Sequence, residues 1–305
     1  MALFHVISVI VAFTLTGVAA RRVGLLRPES AGQLNRLALG VTLPAGIFRS
    51  LHTFTLDRTA ARPPLFAAGL VFLLTGLSWA LARRLRLARP VAAVFVLAVI
   101  FSNTAFMGFP VVSALYGDPG LTQAVLLDQL GMEPLAFTLG AVIAAGAVEG
   151  ASIPWADELW KLVRFPPLIT LAAAITWRLL DFPHVPANVD TVLHWISAAT
   201  VPIVMVSLGL VLRIDALRRA WRLATLVVVL RLVLSPLLAW GASRMLGSDP
   251  LQSTVTTLEL GMPTMMFTLM LAIRYRLDVE LSAALVTATL AGSMVTLPAW
   301  VAVLR

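Results

Sequence analysis

The sequence predicts an all-α integral membrane protein: ten transmembrane helices in two inverted five-helix repeats, with spans 4 and 9 broken. Three observations predict it. The first is composition, since 59% of the 305 residues are hydrophobic and 12% charged, with mean hydropathy +0.92. No soluble fold hides that much apolar surface. The second is spacing. Apolar stretches recur at 3–20, 31–51, 65–82, 91–116, 121–147, 162–180, 189–212, 223–243, 250–274 and 281–303, and ~20 residues suffice to cross a bilayer. The third is a pair of helix breakers at matching places in the two halves. One reads Phe101-Ser102-Asn103-Thr104-Ala105-Phe106-Met107-Gly108-Phe109-Pro110, the other Glu259-Leu260-Gly261-Met262-Pro263-Thr264.

Span 1 lacks the basic leader and cleavage site of a signal peptide and is expected to be retained. With the N-terminus outside, inward loops hold 16 of the 23 basic residues, outward segments hold 6, and Arg231 lies within a span. That bias orients both termini outside. The net charge of +8 and isoelectric point near 11.4 therefore do not signal nucleic acid, because the charges hug span ends without interleaved aromatics. A bacterial inner membrane is the expected location. Short loops leave a single domain, 1–305, with repeat one over about 1–150 and repeat two over about 151–305. The stretch Trp155-Ala156-Asp157-Glu158-Leu159-Trp160-Lys161-Leu162 reads as a surface turn or short interfacial helix before span 6. The tryptophans, among them Trp155, Trp160, Trp195 and Trp300, read as an aromatic belt.

A span that breaks in hydrocarbon frees backbone groups that water cannot reach, so breaks persist where they line a cavity. Paired breaks in two repeats point to a transporter's substrate site. Aligning Tyr116 with Tyr275 sets Thr104 opposite Pro263 and Asn103 opposite Met262. The position lies 13 residues beyond the opening Pro90 or Pro250, about 20 Å along a helix and near mid-bilayer. The second half of each broken span offers a positive N-terminus suited to a carboxylate; the first half ends in carbonyls suited to a cation or donor. Asn103 can serve freed backbone or a ligand. Thr104 and Thr264 either bond back to their own helices or reach the ligand. With Pro110, Met262 and Pro263 they form the candidate substrate site; a simple proline kink is the plain alternative.

Four charges fall inside spans: Asp128, Glu133, Arg231 and Glu259. Each costs about 2.5–3.5 kcal/mol to insert, so partners or a wet cavity are expected. Three acids against one base imply that at least one carboxyl holds a proton, which equips the chain for proton-coupled transport. Arg231 is read either as a structural clamp on Glu259 or Asp128 or as a further substrate ligand. Asp128 lies about seven residues from its span's outer end, and either reaches the headgroups or carries a proton. Other chemistries find no support. Cysteine is absent, removing disulfides and thiolate chemistry. His5, His52, His184 and His194 lie near span ends without zinc spacing. No nucleophile elbow or phosphate-binding loop is present. No enzyme activity, metal or cofactor is expected.

Further motifs are Leu43-Pro44-Ala45-Gly46-Ile47-Phe48, Phe165-Pro166-Pro167-Leu168-Ile169, Leu230-Arg231-Leu232-Val233-Leu234-Ser235-Pro236-Leu237, and Met262-Pro263 followed by Ala272 and Tyr275. Together with the 102–110 break, their order and spacing resemble the auxin efflux carrier family, which includes bacterial malonate and malate permeases and plant auxin exporters. Phe165 departs from the asparagine that many members carry there. The resemblance implies that the broken spans 4 and 9 cross at the site, and a scaffold of spans 1, 2, 6 and 7, often dimerising, with transport spans 3, 4, 5, 8, 9 and 10 moving against it. The expectation is a secondary active transporter of small organic anions, mono- or dicarboxylates or auxin-like, working by alternating access. Its expected partners are that anion, a proton or sodium as coupling ion, the lipid bilayer and a second copy, with no nucleic acid. A sodium-coupled symporter of related fold and a ligand sensor that does not transport are the alternatives.

Overall fold

The computed structural model describes residues 2–52, 60–150, 152–183, 185–212, 217 and 220–304, with side chains from residue 8 onward. The described chain is helical, and one isolated two-residue bridge is its only extended pairing. In chain order the helices are α1 (Ala2–Arg22), α2 (30–51), α3 (Arg62–Arg84), α4 (Arg89–Ile100), α5 (Thr104–Gly146), α6 (Trp155–Val163) and α7 (Pro166–Leu179). They continue as α8 (Ala187–Val211), α9 (Trp221–Met245), α10 (Pro250–Glu259), α11 (Phe267–Arg274) and α12 (Val279–Leu304).

Among the described residues, α3, α5, α8, α9 and α12 are each long and apolar enough to cross a membrane. The pair α6–α7, bent by 50°, makes a sixth candidate. Two of the other apolar stretches are divided. Expected span 4 divides into α4 and the first limb of α5, and expected span 9 into α10 and α11. The expected loop between spans 4 and 5 lies within the range of α5, where Gly117 takes the non-helical φ 65, ψ −157 and kinks the chain between two helical limbs. Only glycine takes that conformation without a Cβ penalty.

Among the described residues four π turns interrupt three helices, α2, α5 (twice) and α9, and proline explains all four. The turns Ala38–Thr42, Thr104–Gly108, Asp128–Met132 and Leu230–Leu234 are each followed two residues later by Pro44, Pro110, Pro134 or Pro236. Proline donates no N–H and its ring clashes with the carbonyl four residues back, so the local helix widens by one residue. In α9 the freed carbonyl is Leu232, and Trp300 Nε1 donates to it at 2.9 Å. Trp300 therefore has a structural bond beyond the belt position expected of it. Trp155, Trp160 and Trp195 remain largely exposed, as an interfacial belt requires.

Packing gathers α1, α2, α7 and α8 together. Gly17 and Gly209 set the α1–α8 crossing, since a Cβ on either would collide with a backbone carbonyl, that of Val206 or Thr14. A second core unites α3, α4, α9, α11, α12 and the later limb of α5 around Leu74, Phe95, Phe101 and Met132. The helix expected around Trp155–Leu162 is α6. Its Glu158 is buried and pairs with Arg274 at the end of α11 and with Lys161 at 3.3 Å.

Candidate functional site

The two broken spans meet as a pair of extended segments. Ser102 bridges Thr264 in antiparallel fashion. The Asn103 N–H donates to the Pro263 carbonyl at 2.7 Å, and the Met265 N–H donates to the Phe101 carbonyl at 2.9 Å. The spatial partners are thus Ser102 with Thr264 and Asn103 with Pro263, a register distinct from the repeat correspondence of Thr104 with Pro263. The physical reason is unequal break length. α4 ends at Ile100, two residues before the bridge, whereas α10 ends at Glu259, five before it. The turn at Leu260–Met262 takes up the difference.

Every carbonyl freed at the end of α4 has a donor. Phe101 N–H returns to Leu97 at 3.3 Å, and the Thr264 hydroxyl donates to Ala98 at 2.7 Å. Arg231 Nη1 takes Val99 at 2.9 Å and Ile100 at 3.2 Å. Arg231 Nη2 also donates to the Ser102 hydroxyl at 2.5 Å, to the Ser235 hydroxyl at 2.8 Å and to the Leu260 carbonyl. Ser235 donates in turn to Leu260 at 2.6 Å. This completes the accounting that buried backbone demands. It also corrects the expected ion pair: Arg231, at 0% exposure, joins neither Glu259 nor Asp128 and binds helix ends instead.

On the other side of the crossing α5 begins. The Asn103 carbonyl accepts from Met107 and Gly108, each at 3.2 Å. The N–H groups of Thr104, Ala105 and Phe106 remain as the orphan donors of a helix start, the end that favours an anion. The Thr104 hydroxyl donates to Asp128, and Gln129 Nε2 donates to the other Asp128 oxygen at 2.5 Å. Asp128 is fully buried, so the headgroup reading fails: Thr104 and Gln129 hold its carboxyl in the interior. Neither threonine bonds back one turn along its own helix, as the cautious expectation held. Thr264 reaches Ala98 across the break, and its N–H receives the Thr289 hydroxyl oxygen at 3.1 Å.

Two further acids lie close by. Glu133 is 7% exposed and one of its oxygens has no partner; Glu259 is 0% exposed and neither oxygen has one. Glu259 rests on Gly108, where any side chain would overlap its carboxyl. Asn103, Thr104, Met262, Pro263 and Thr264 are all buried at the crossing.

A cavity of about 470 Å³ lies beside it, between α2, the first limb of α5 and α8. Pro110 lines it together with Thr42, Ser113, Ser197 and Thr200; of the expected site residues only Pro110 does. Thr200 donates to Thr42 at 2.8 Å across its wall. At its far end stand His194 and Arg49, with Arg49 held by Asp118 at 2.8 Å and Asp190 at 3.1 Å. Sequence reasoning passed over these residues. The available signal was Thr42 two residues before Pro44, the same offset that places Gly108 before Pro110. His52 stacks on Phe48, while His184 and the His5 side chain lie outside the described residues. Among the described residues no cluster of three metal-ligating side chains occurs.

A family model described as a membrane transport protein matches residues 1–150 and 156–301. An uncharacterized transporter of Methanothermobacter thermautotrophicus is 33% identical over 305 residues, covering 98% of this chain and 97% of its own. An uncharacterized transporter of Methanocaldococcus jannaschii is 27% identical over 302 residues, covering 97% and 96%.

Proposed function

We propose, from the premise that this chain belongs to the auxin efflux carrier family of membrane transport proteins, that it is a secondary active transporter of small organic anions. In this reading ten spans form two inverted repeats, both termini face outside, and the protein resides in the cell membrane. Spans 1, 2, 6 and 7 form a scaffold and dimer face against which spans 3, 4, 5, 8, 9 and 10 move. The observation that carries the substrate reading is the crossing itself. Orphan N–H groups of Thr104–Phe106 lie one helical turn from Pro110, and Pro110 opens into the 470 Å³ cavity.

A mono- or dicarboxylate entering past Arg49 and His194 meets an apolar wall and then a positive helix end, the usual mix of an anion site. Asn103, Thr104, Pro110, Met262, Pro263 and Thr264 are its proposed contacts. Rocking of the scaffold against the crossing exposes them in turn to the two sides of the membrane. Asp128, Glu133 and Glu259 supply the proton-coupling carboxyls. Two of them hold unpartnered oxygens, and Asp128 bonds to Thr104, so a change in its protonation is felt at the site.

Uptake of labelled malonate, malate and indole-3-acetate into proteoliposomes, with and without an inward proton gradient, tests this. Gradient-driven accumulation that Asn103→Ala abolishes is the expected result. Gradient-independent flux would remove the proton role, and saturable binding without flux would make the protein a sensor.

A further inference from the structure

The five oxygens around Arg231 are a ligand set fit for a monovalent cation: the carbonyls of Val99, Ile100 and Leu260 and the hydroxyls of Ser102 and Ser235. They come from three separate elements, the ends of both broken spans and α9. Two helices, α4 and α10, point their negative ends at this spot. Half-helix C-termini and unwound carbonyls of this kind hold the coupling cation in carriers built on broken helices. Here the place is already filled by the guanidinium, which pairs with no carboxylate and leaves only its Nε without a partner. The neighbouring carbonyls of Ala98, Phe101 and Pro263 are bonded as well.

We propose that Arg231 is a tethered cation. It occupies the cation position between the crossed breaks, so that the carrier needs no sodium there, and it positions the breaks rather than touching substrate. The inference rests on reading the chain as a carrier whose site is the crossing. Its charge neutralises two helix ends in both the loaded and the empty protein, because it is part of the chain. A dissociable sodium ion would do so only when bound. The side chain also ties α9 to both breaks, so the three move as one body.

The test is thermal unfolding of the purified full-length protein in sodium, potassium and N-methylglucamine chlorides at equal ionic strength, followed by uptake in the same salts. Wild type is expected to melt and transport alike in all three. Arg231→Ser opens the five-oxygen cage, and its melting temperature should rise with sodium or guanidinium but not with N-methylglucamine. Arg231→Lys keeps the charge and should stay indifferent to sodium. Sodium-specific stabilisation or sodium-dependent uptake by wild type would overturn the proposal, as would an Arg231→Ser protein that folds and melts identically in every salt. If Arg231→Ser does not fold, wild type and Arg231→Lys decide the matter. Melting needs no substrate, so an absence of flux counts against the carrier reading and leaves the cation result standing.

Discussion

The carboxyl of Glu259 lies directly on the bare backbone of Gly108, so closely that a Cβ at 108 would overlap both carboxyl oxygens. The contact joins the end of α10 to the π turn that begins α5. One broken span thus senses the other through an acid and a glycine.

Gly108→Ala is expected to destabilise the protein by about 1–3 kcal/mol, the usual cost of overpacking a filled interior, and to abolish transport. Truncating the opposing side chain removes the collision. Gly108→Ala/Glu259→Ala should therefore melt above the sum expected from the single variants, with a coupling of about 0.5–3 kcal/mol. Additive melting would show that Glu259 moves aside freely.

The acids around the crossing should separate by pH. If one of them carries the coupling proton, uptake rises as external pH falls, and the neutral variant of that residue loses the dependence. Asp128→Asn, Glu133→Gln and Glu259→Gln, each assayed across a pH series, identify it; a slope preserved in all three would remove these groups from coupling. Asp128→Ala carries a separate cost. The Thr104 hydroxyl and Gln129 amide both donate to Asp128, and each buried donor left unpaired costs about 1–3 kcal/mol.

Arg49 on the cavity rim should behave differently. Its pairs with Asp118 and Asp190 are partly exposed, at 24% for the arginine and 41% and 37% for the acids. Such pairs add roughly 0–1 kcal/mol, so Arg49→Ala should melt nearly as wild type does. The pairs nevertheless link α2 to the α5 bend and to α8. Uptake by Arg49→Ala should therefore change in rate and lose salt sensitivity. Unchanged uptake kinetics would make the cluster mere surface decoration.

The sequence made the helical class and the breaks legible because hydropathy and paired prolines report them without tertiary information. Glu133 and Glu259 could be flagged from charge alone, since few side chains of that kind lie in apolar stretches. Arg231 could be flagged but not placed. Its partners are carbonyls 132, 131 and 29 residues away in sequence, and carbonyls leave no trace in residue type. For Asp128 the count of seven residues from the span's end left headgroups and proton carriage open, because depth along a helix does not tell which face is buried; Thr104 and Gln129, which settle it, follow from packing. The bridge register was not legible, as a matched tyrosine pair aligns the two repeats but does not report a three-residue difference in break length. The Arg49–Asp118–Asp190 cluster joins three helices and has no local pattern at all.

Trp300 and Pro236 meet at one carbonyl, that of Leu232. Pro236 has no N–H to offer the carbonyl of Leu232 four residues back, and the indole of Trp300 supplies the missing donor from α12 at 2.9 Å. Trp300→Phe keeps the ring and removes the donor, so it should cost about 1–3 kcal/mol for the unpaired carbonyl. Pro236→Ala restores a backbone N–H within the same helix and lets the π turn relax toward regular geometry. It has a cost of its own, because the proline ring packs 3.0 Å from where a Cβ on Gly261 would sit, at the turn that Arg231 holds. In the Pro236→Ala background, however, Trp300→Phe should cost much less than it does alone, since Leu232 then has a donor in its own helix. Equal losses of melting temperature in the two backgrounds would mean that Trp300 acts by ring packing, and that the proline and the tryptophan are not coupled through one carbonyl.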